Sequence, residues 1–436
     1  MDLDPLLLSR VQFAFVIAFH ILFPAFTIGL ASFIALLEVR WLIGRDDLYL
    51  RISKFWTRIF AISFGMGVVS GIVMSYQFGT NWAEFSARAG NIIGPLLSYE
   101  VQTAFFLEAT FLGILLFGRG KVPEWIVALS AVMVAVGTLV SAFWILSANS
   151  WMHTPAGYEM RDGVVHVTSW WDAVFNPSFP YRLSHMVVAC FVTTGFAVAG
   201  ATAWQLLRGV HAAEARHTLS MTLWLLTLLV PLQVLIGDLH GLNTLEHQPA
   251  KVAAMEGHWE TRQGAPLVLF AIPDMAAETN HYELSVPKLA SLILTHDLDG
   301  TVQGLKDWPA ADRPYVPIVF WSFRLMVGCG VVMLGVVLWG LYLRYRRRLY
   351  DSAPFLRACL VCTPIGFVAV LAGWFTTEVG RQPWLIQGVM RTAEGLSPGV
   401  PASSIVLSLA LYAVTYAIIF GAGTVFIVAI VRRGPA

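Results

Sequence analysis

Residues 11–39 read VQFAFVIAFHILFPAFTIGLASFIALLEV, with Glu38 the only acidic or basic residue besides His20. About 20 mostly apolar residues in a helix cross the hydrocarbon core of a bilayer, and this run is longer than that. It lacks the basic n-region and small-residue cleavage site of a secretory leader, so it is expected to remain as a membrane helix. Eight more stretches satisfy the same criterion: 57–78, 93–118, 124–147, 183–207, 218–237, 317–343, 356–377 and 404–431. The expectation is an all-α integral membrane protein of nine transmembrane helices, with residues 1–436 forming a single transmembrane domain.

Composition agrees. The chain is 57% hydrophobic and 13% charged, with a mean hydropathy of +0.68. Soluble domains carry roughly 25% charged residues, so this chain cannot clothe itself in polar surface. A net charge of +1 argues against a nucleic-acid-binding surface. Cys190, Cys329, Cys359 and Cys362 all fall in apolar stretches, where a disulfide framework is not expected. The C-x-x-C spacing of the last two is read as packing inside a helix.

Lys and Arg concentrate on the cytoplasmic side of membrane proteins. With the N-terminus outside, inner segments hold sixteen of them, from Arg40 to Arg433, against six in the short outer segments and five in one long loop. Long loops obey the rule poorly, so sixteen to six is the better comparison. It predicts N-terminus outside, C-terminus inside, and a long outer loop at 238–316 between the sixth and seventh helices. Loops of that length are usually functional or disordered.

Ionisable groups within spans are costly and are functional suspects. His20 sits near mid-membrane, His185 near the outer end of the fifth span, and Glu100 and Glu108 on the third. Arg324 and Met326 lie near the outer end of the seventh span, while Glu378 closes the eighth, followed by Arg381. Singly, each has a bland reading: a histidine hydrogen-bonded in the core, a methionine filling a gap, a glutamate facing water at a helix end. Together they form a set. His and Met are axial ligands of low-spin haem, a guanidinium fork matches a propionate carboxylate, and two carboxylates on one helix suit a proton relay.

The segments SRVQFAFVIAFHILFP (9–24), SYEVQTAFFLEATFLG (98–113), SANSWMHTPAGYE (147–159), FWSFRLMVG (320–328) and FTTEVGRQPW (375–384) resemble subunit I of cytochrome bd quinol oxidases. So do GDLHG (237–241) and QPAKVAAMEGHWET (248–261) at the start of the long loop. The resemblance implies a haem-carrying subunit of a bacterial cytoplasmic-membrane oxidase, which oxidises quinol outside and reduces dioxygen to water with protons from the cytoplasm. It implies that His185 and Met326 ligate a low-spin haem b, with Arg324 stabilising its reduced state. His20 would ligate one of two high-spin haems and Glu378 the other. Trp374 and Arg381 would flank the cluster. Glu100 and Glu108 would lie on the proton path, with Ser141 and Asn149 nearby. Lys251 and Glu256 would act on quinol. The loop is short, as in the cyanide-insensitive branch, which leaves the second high-spin group open between haem d and a further haem b. A second, haem-free membrane subunit and a very small single-helix subunit are the implied partners. Rival classes are a secondary transporter, for which an inverted repeat would be expected, and a cofactor-free membrane subunit, which would be colourless.

Overall fold

The computed structural model describes residues 4–435. Fourteen α-helices are α1 (Pro5–Gly44), α2 (Asp47–Thr80), α3 (Ala83–Glu100), α4 (Phe106–Phe117), α5 (Glu124–His153), α6 (Trp170–Val174), α7 (Phe179–Arg208), α8 (Ala212–His247), α9 (Pro249–Glu256), α10 (Leu289–Thr295), α11 (Val316–Tyr345), α12 (Ala353–Val361), α13 (Ile365–Val379) and α14 (Ala402–Arg433). Among the described residues they make nine membrane-length helical spans, α3–α4, α6–α7 and α12–α13 each counting once.

Each span outruns the apolar window that reveals it, because backbone hydrogen bonding continues past the hydrocarbon-matching core. α7 begins at Phe179, so His185 lies six residues inside it, nearly two turns, rather than at its start. α8 continues to His247, so the long connection begins ten residues later than 238. Asp238, His240 and Gly241 read as loop residues, but His240 packs its ring 5.3 Å from that of His185. The eighth span is two helices: the turn Cys362–Pro364 interrupts it, since proline cannot donate to the preceding turn.

Short antiparallel ribbons supplement the all-α reading. They are β1 (Tyr158–Arg161) with β2 (Val164–Val167), β3 (Arg262–Gln263) with β6 (Thr301–Val302), β4 (Leu267–Asp274) with β5 (Thr279–Val286), and β7 (Trp384–Ile386) with β8 (Met390–Arg391). The long connection is therefore ordered. Trp259, Val268, Ala271 and Leu305 form a small core on Val316, Val319 and Phe320 of α11.

α1 is central, packed on by α2, α5, α7, α13 and α14. Membrane helices approach closely where residues are small. A Cβ at Gly29 would lie 2.4 Å from Thr194 Oγ1 on α7, whose hydroxyl donates to the Phe26 carbonyl at 2.8 Å. The connections at the end bearing α9 are stitched together: Gln387 N–H donates to Met152 O, and Ser397 N–H to Asn81 O. The four cysteines are buried and free, as packing residues should be.

Candidate functional site

Pro249 starts α9 after Gln248 ends α8, and Gly257 (φ +70°) stops it. A Cβ at Gly257 would meet the Phe320 ring at 3.0 Å. Lys251 and Glu256 are five residues apart, about 140° around a helix, so they point to different sides, and both are buried. Glu256 accepts from Arg324 Nη2 at 3.0 Å. Arg324 also donates to the carbonyls of Val268 (3.0 Å) and Met255, with its guanidinium carbon 4.0 Å over Phe320. Arg324 thus anchors the long connection to α11.

Lys251 faces inward. Its Nζ donates to Gln248 Oε1 at 2.7 Å and lies 3.0 Å from His153 Nδ1. His153 Nε2 is 3.2 Å from Glu378 Oε1. Asn149, one turn before His153 on α5, donates to the same oxygen at 2.9 Å, and Arg381 Nη2 donates to Oε2 at 2.5 Å. Arg182 completes the cluster by donating from Nη2 to Gln248 Oε1 at 3.5 Å. Burial, then Arg182 and Arg381, hold the Lys251 ammonium well below the usual lysine range, against the pull of Glu378. Burial lowers Arg381 as well. Three basic side chains thus share the neighbourhood of one carboxylate, and Arg381 Nε and Nη1 are buried without partners. Such a site would suit anionic groups, haem propionates among them.

Of the ligand-type histidines, His20 presents an open ring nitrogen. Ser70 Oγ donates to the Gly67 carbonyl at 2.9 Å and accepts from His20 Nδ1 at 2.9 Å. That tautomer leaves the Nε2 lone pair open, the usual state of an iron-binding imidazole. His185 Nδ1 is buried and partnerless, with Gln233 Nε2 3.2 Å from its Nε2. Glycines give these groups room. A Cβ at Gly71 would sit 3.2 Å from the His20 ring, one at Gly237 3.4 Å from His185, and one at Gly373 2.8 Å from Met326 Sδ. Trp374, half-buried, packs on a cluster of α1, α5 and α7 residues that includes Ile21, Ala142 and Cys190. No group of three or more metal-ligating side chains gathers among the described residues. The chain offers single axial-type donors, which suit a porphyrin-held iron.

Between α3 and α4, Val101–Phe105 form a π-turn, which nothing in the apolar pattern signalled. On a plain α-helix, residues eight apart diverge by about 80°. A π-turn absorbs one extra residue, so the offset behaves like seven and falls to about 20°. Glu100 and Glu108 therefore share a face, toward α5. Ser141 donates to Glu100 Oε1 at 2.7 Å. Glu108, buried, leaves Oε1 without a partner. It fits because position 137 is glycine, where a Cβ would lie 2.6 Å from Glu108 Cγ. Gly137→Ala is expected to overpack this spot, at a cost of about 1–3 kcal/mol, and to lower the thermal midpoint in detergent. An unchanged melting curve would show slack between α4 and α5.

Sequence reasoning passed over His153, Arg182, Gln248 and Glu38. The first three lie at span ends where polar residues normally meet water. Glu38 is buried and accepts from Ser53 at 2.5 Å and Arg119 at 2.7 Å, pinning the far end of α1.

A family model described as cytochrome bd terminal oxidase subunit I matches residues 8–435. The chain is 37% identical to cytochrome bd ubiquinol oxidase subunit 1 of Bacillus subtilis (strain 168), over 98% of this chain and 93% of that one. It is 32% identical to cytochrome bd-II ubiquinol oxidase subunit 1 of Escherichia coli (strain K12), over 94% and 93%. A solved bd oxidase from Geobacillus thermodenitrificans superposes with TM-score 0.92 at 31% identity, covering 100% of both chains. End-to-end agreement of family pattern, sequence and fold leaves one conclusion: the chain belongs to the cytochrome bd terminal oxidase subunit I family.

Proposed function

We propose that this subunit oxidises quinol at the face bearing α9 and reduces dioxygen to water with protons drawn from the opposite, cytoplasmic side of a bacterial inner membrane. The carrying observation is the buried Arg381 guanidinium, whose Nε and Nη1 have no partner while Nη2 reaches Glu378, in one cluster with the basic side chains of Lys251 and Arg182, read with the family membership. His185 and Met326 would hold a low-spin haem b, while His20 and Glu378 would hold the two high-spin haems, one haem b and one haem d or b. Bound haems supply one-electron transfer and the site of oxygen reduction. Trp374 would pack beside them, and Arg381 with Arg182 would receive propionates.

The chain's own residues do the rest. Two quinols release four electrons and four protons, and one dioxygen consumes four of each. Glu256, held by Arg324, would take a quinol proton beside a cleft of about 250 Å³ lined by Gly257, His258 and Trp259. Glu108 and then Glu100 would carry protons from the cytoplasmic side along the shared face set by the π-turn. A haem-free second subunit and a very small one complete the proposed assembly.

The purified oxidase should show reduced-minus-oxidised haem bands and quinol-driven oxygen uptake; a colourless preparation with no uptake overturns the proposal. Glu256→Gln keeps a hydrogen bond to Arg324 but takes no proton. Quinol-driven uptake is expected to fall about hundredfold, the low end of a general base's contribution, with every haem band intact. Normal quinol turnover in that variant would remove Glu256 from the reaction.

A further inference from the structure

Lys251 lies on the loop helix, yet its ammonium does not face the loop's surface. It is 3% exposed and reaches His153 Nδ1, whose ring meets Glu378 on its other edge. A carboxylate can only accept, so His153 Nε2 carries the hydrogen that goes to Glu378 Oε1, and Nδ1 of the neutral imidazole accepts from the Lys251 amine. The Gln248 Oε1 atom, 3.3 Å from Nδ1, is taken up by the Lys251 donation at 2.7 Å instead. Every donor in the sequence Lys251, His153, Glu378 thus points one way, from the loop to the carboxylate. His153 is 0% exposed and has a polar contact at both ring nitrogens. An imidazole serving only to fill space needs neither.

Resting on the assignment of Glu378 as a haem ligand, we propose that His153 is a positioning residue that fixes the Glu378 carboxylate and couples it to Lys251, so that the loop helix sets the redox balance of the haem which Glu378 holds. The direction of the effect follows from charge. The His153 hydrogen bond, and the Lys251 donor that polarises His153 from behind, draw electron density from the carboxylate, which disfavours the oxidised iron. Removing either one enriches the carboxylate and favours the oxidised state.

The test is a spectroelectrochemical titration of the purified oxidase carrying Lys251→Met, His153→Leu or His153→Gln, with Glu378→Gln run alongside. Lys251→Met and His153→Leu should each shift the reduction equilibrium of one high-spin haem about tenfold toward the oxidised form, roughly 59 mV for one electron. The low-spin haem should stay where it was. His153→Gln, whose amide can both donate to Glu378 and accept from Lys251, should restore the parent potential. Should His153→Leu lose haem altogether, Lys251→Met and His153→Gln decide the matter. Parent potentials in Lys251→Met, with changed spectra in Glu378→Gln, overturn the coupling alone. Unchanged spectra in Glu378→Gln overturn the ligand assignment beneath it.

Discussion

Met326→Leu is expected to abolish the low-spin haem band, or to convert it to a high-spin one, in an otherwise folded subunit. Leucine and methionine are close in volume, and such swaps usually cost under about 1.5 kcal/mol, so the bundle should survive. Leucine has no sulfur lone pair, so an iron bound through Met326 loses that ligand outright. The surroundings make the substitution clean. Met326 lies beside Gly373, where a Cβ would approach Sδ to 2.8 Å, and the methionine is half-buried rather than wedged into a sealed core. His185→Leu, on the other proposed ligand, should give the same spectral loss. Quinol-driven oxygen uptake should fall with the band in both variants, by a hundredfold or more, on the order of what removing one essential group costs. A parent-like reduced-minus-oxidised spectrum in Met326→Leu would show that Met326 is packing and that the iron's second ligand lies elsewhere.

How far this could be read from the sequence depends on the length scale of the signal. The nine spans were legible because bilayer thickness imposes about 20 apolar residues on each, and that signal survives errors at either end. Single residues were legible where lipid makes polarity costly: His20, Glu100, Glu108 and Glu378 stood out against apolar neighbours. Residues at span ends did not stand out. His153 and Arg182 sit where a polar side chain ordinarily meets water, and only the fold of the connecting segments over them buries both. The apolar window also stops where helices do not, which placed residues 238–247 in the loop although α8 runs to His247. Two local breaks differ in kind. Pro364 lies inside 356–377, which was read as one span, and the structure divides the span there. The π-turn at Val101–Phe105 has no marker, since VQTAF contains neither proline nor glycine. Lys251 and Glu256 lie about a turn and a half apart on the short helix α9. What the spacing also implied is that they face different surroundings, which the packing of α9 makes plain.

That same π-turn governs the largest expected effect on proton delivery, from Glu108→Gln. Water formation in a buried site needs a continuous proton supply, and the described residues place only two carboxylates on the face of α3–α4 that meets α5. Glu108 is buried, with Oε1 unpartnered and its Cγ seated over Gly137. A buried polar oxygen without a partner costs free energy, and an ion in the hydrocarbon region costs more. A purely structural role gives no return for that cost, whereas a relay needs a carboxyl that is not locked into a fixed hydrogen bond. Glu100 is held by Ser141 and lies nearer the end that bears α9, so a proton entering from the cytoplasmic side meets Glu108 first. Glutamine keeps the size and polarity of Glu108 but cannot give up and regain a carboxyl proton. Oxygen reduction and proton uptake are therefore expected to slow at least a hundredfold, within the span of general acid–base contributions, while the haem irons remain reducible by an artificial donor. Glu100→Gln should slow turnover too and should also perturb the high-spin bands, because it lies closer to the proposed haem pair. Glu108→Asp, one methylene shorter, should recover part of the rate if the carboxyl itself is what matters. Parent-rate oxygen uptake by Glu108→Gln across the pH range would end the relay proposal and leave Gly137 as a packing contact for a structural side chain.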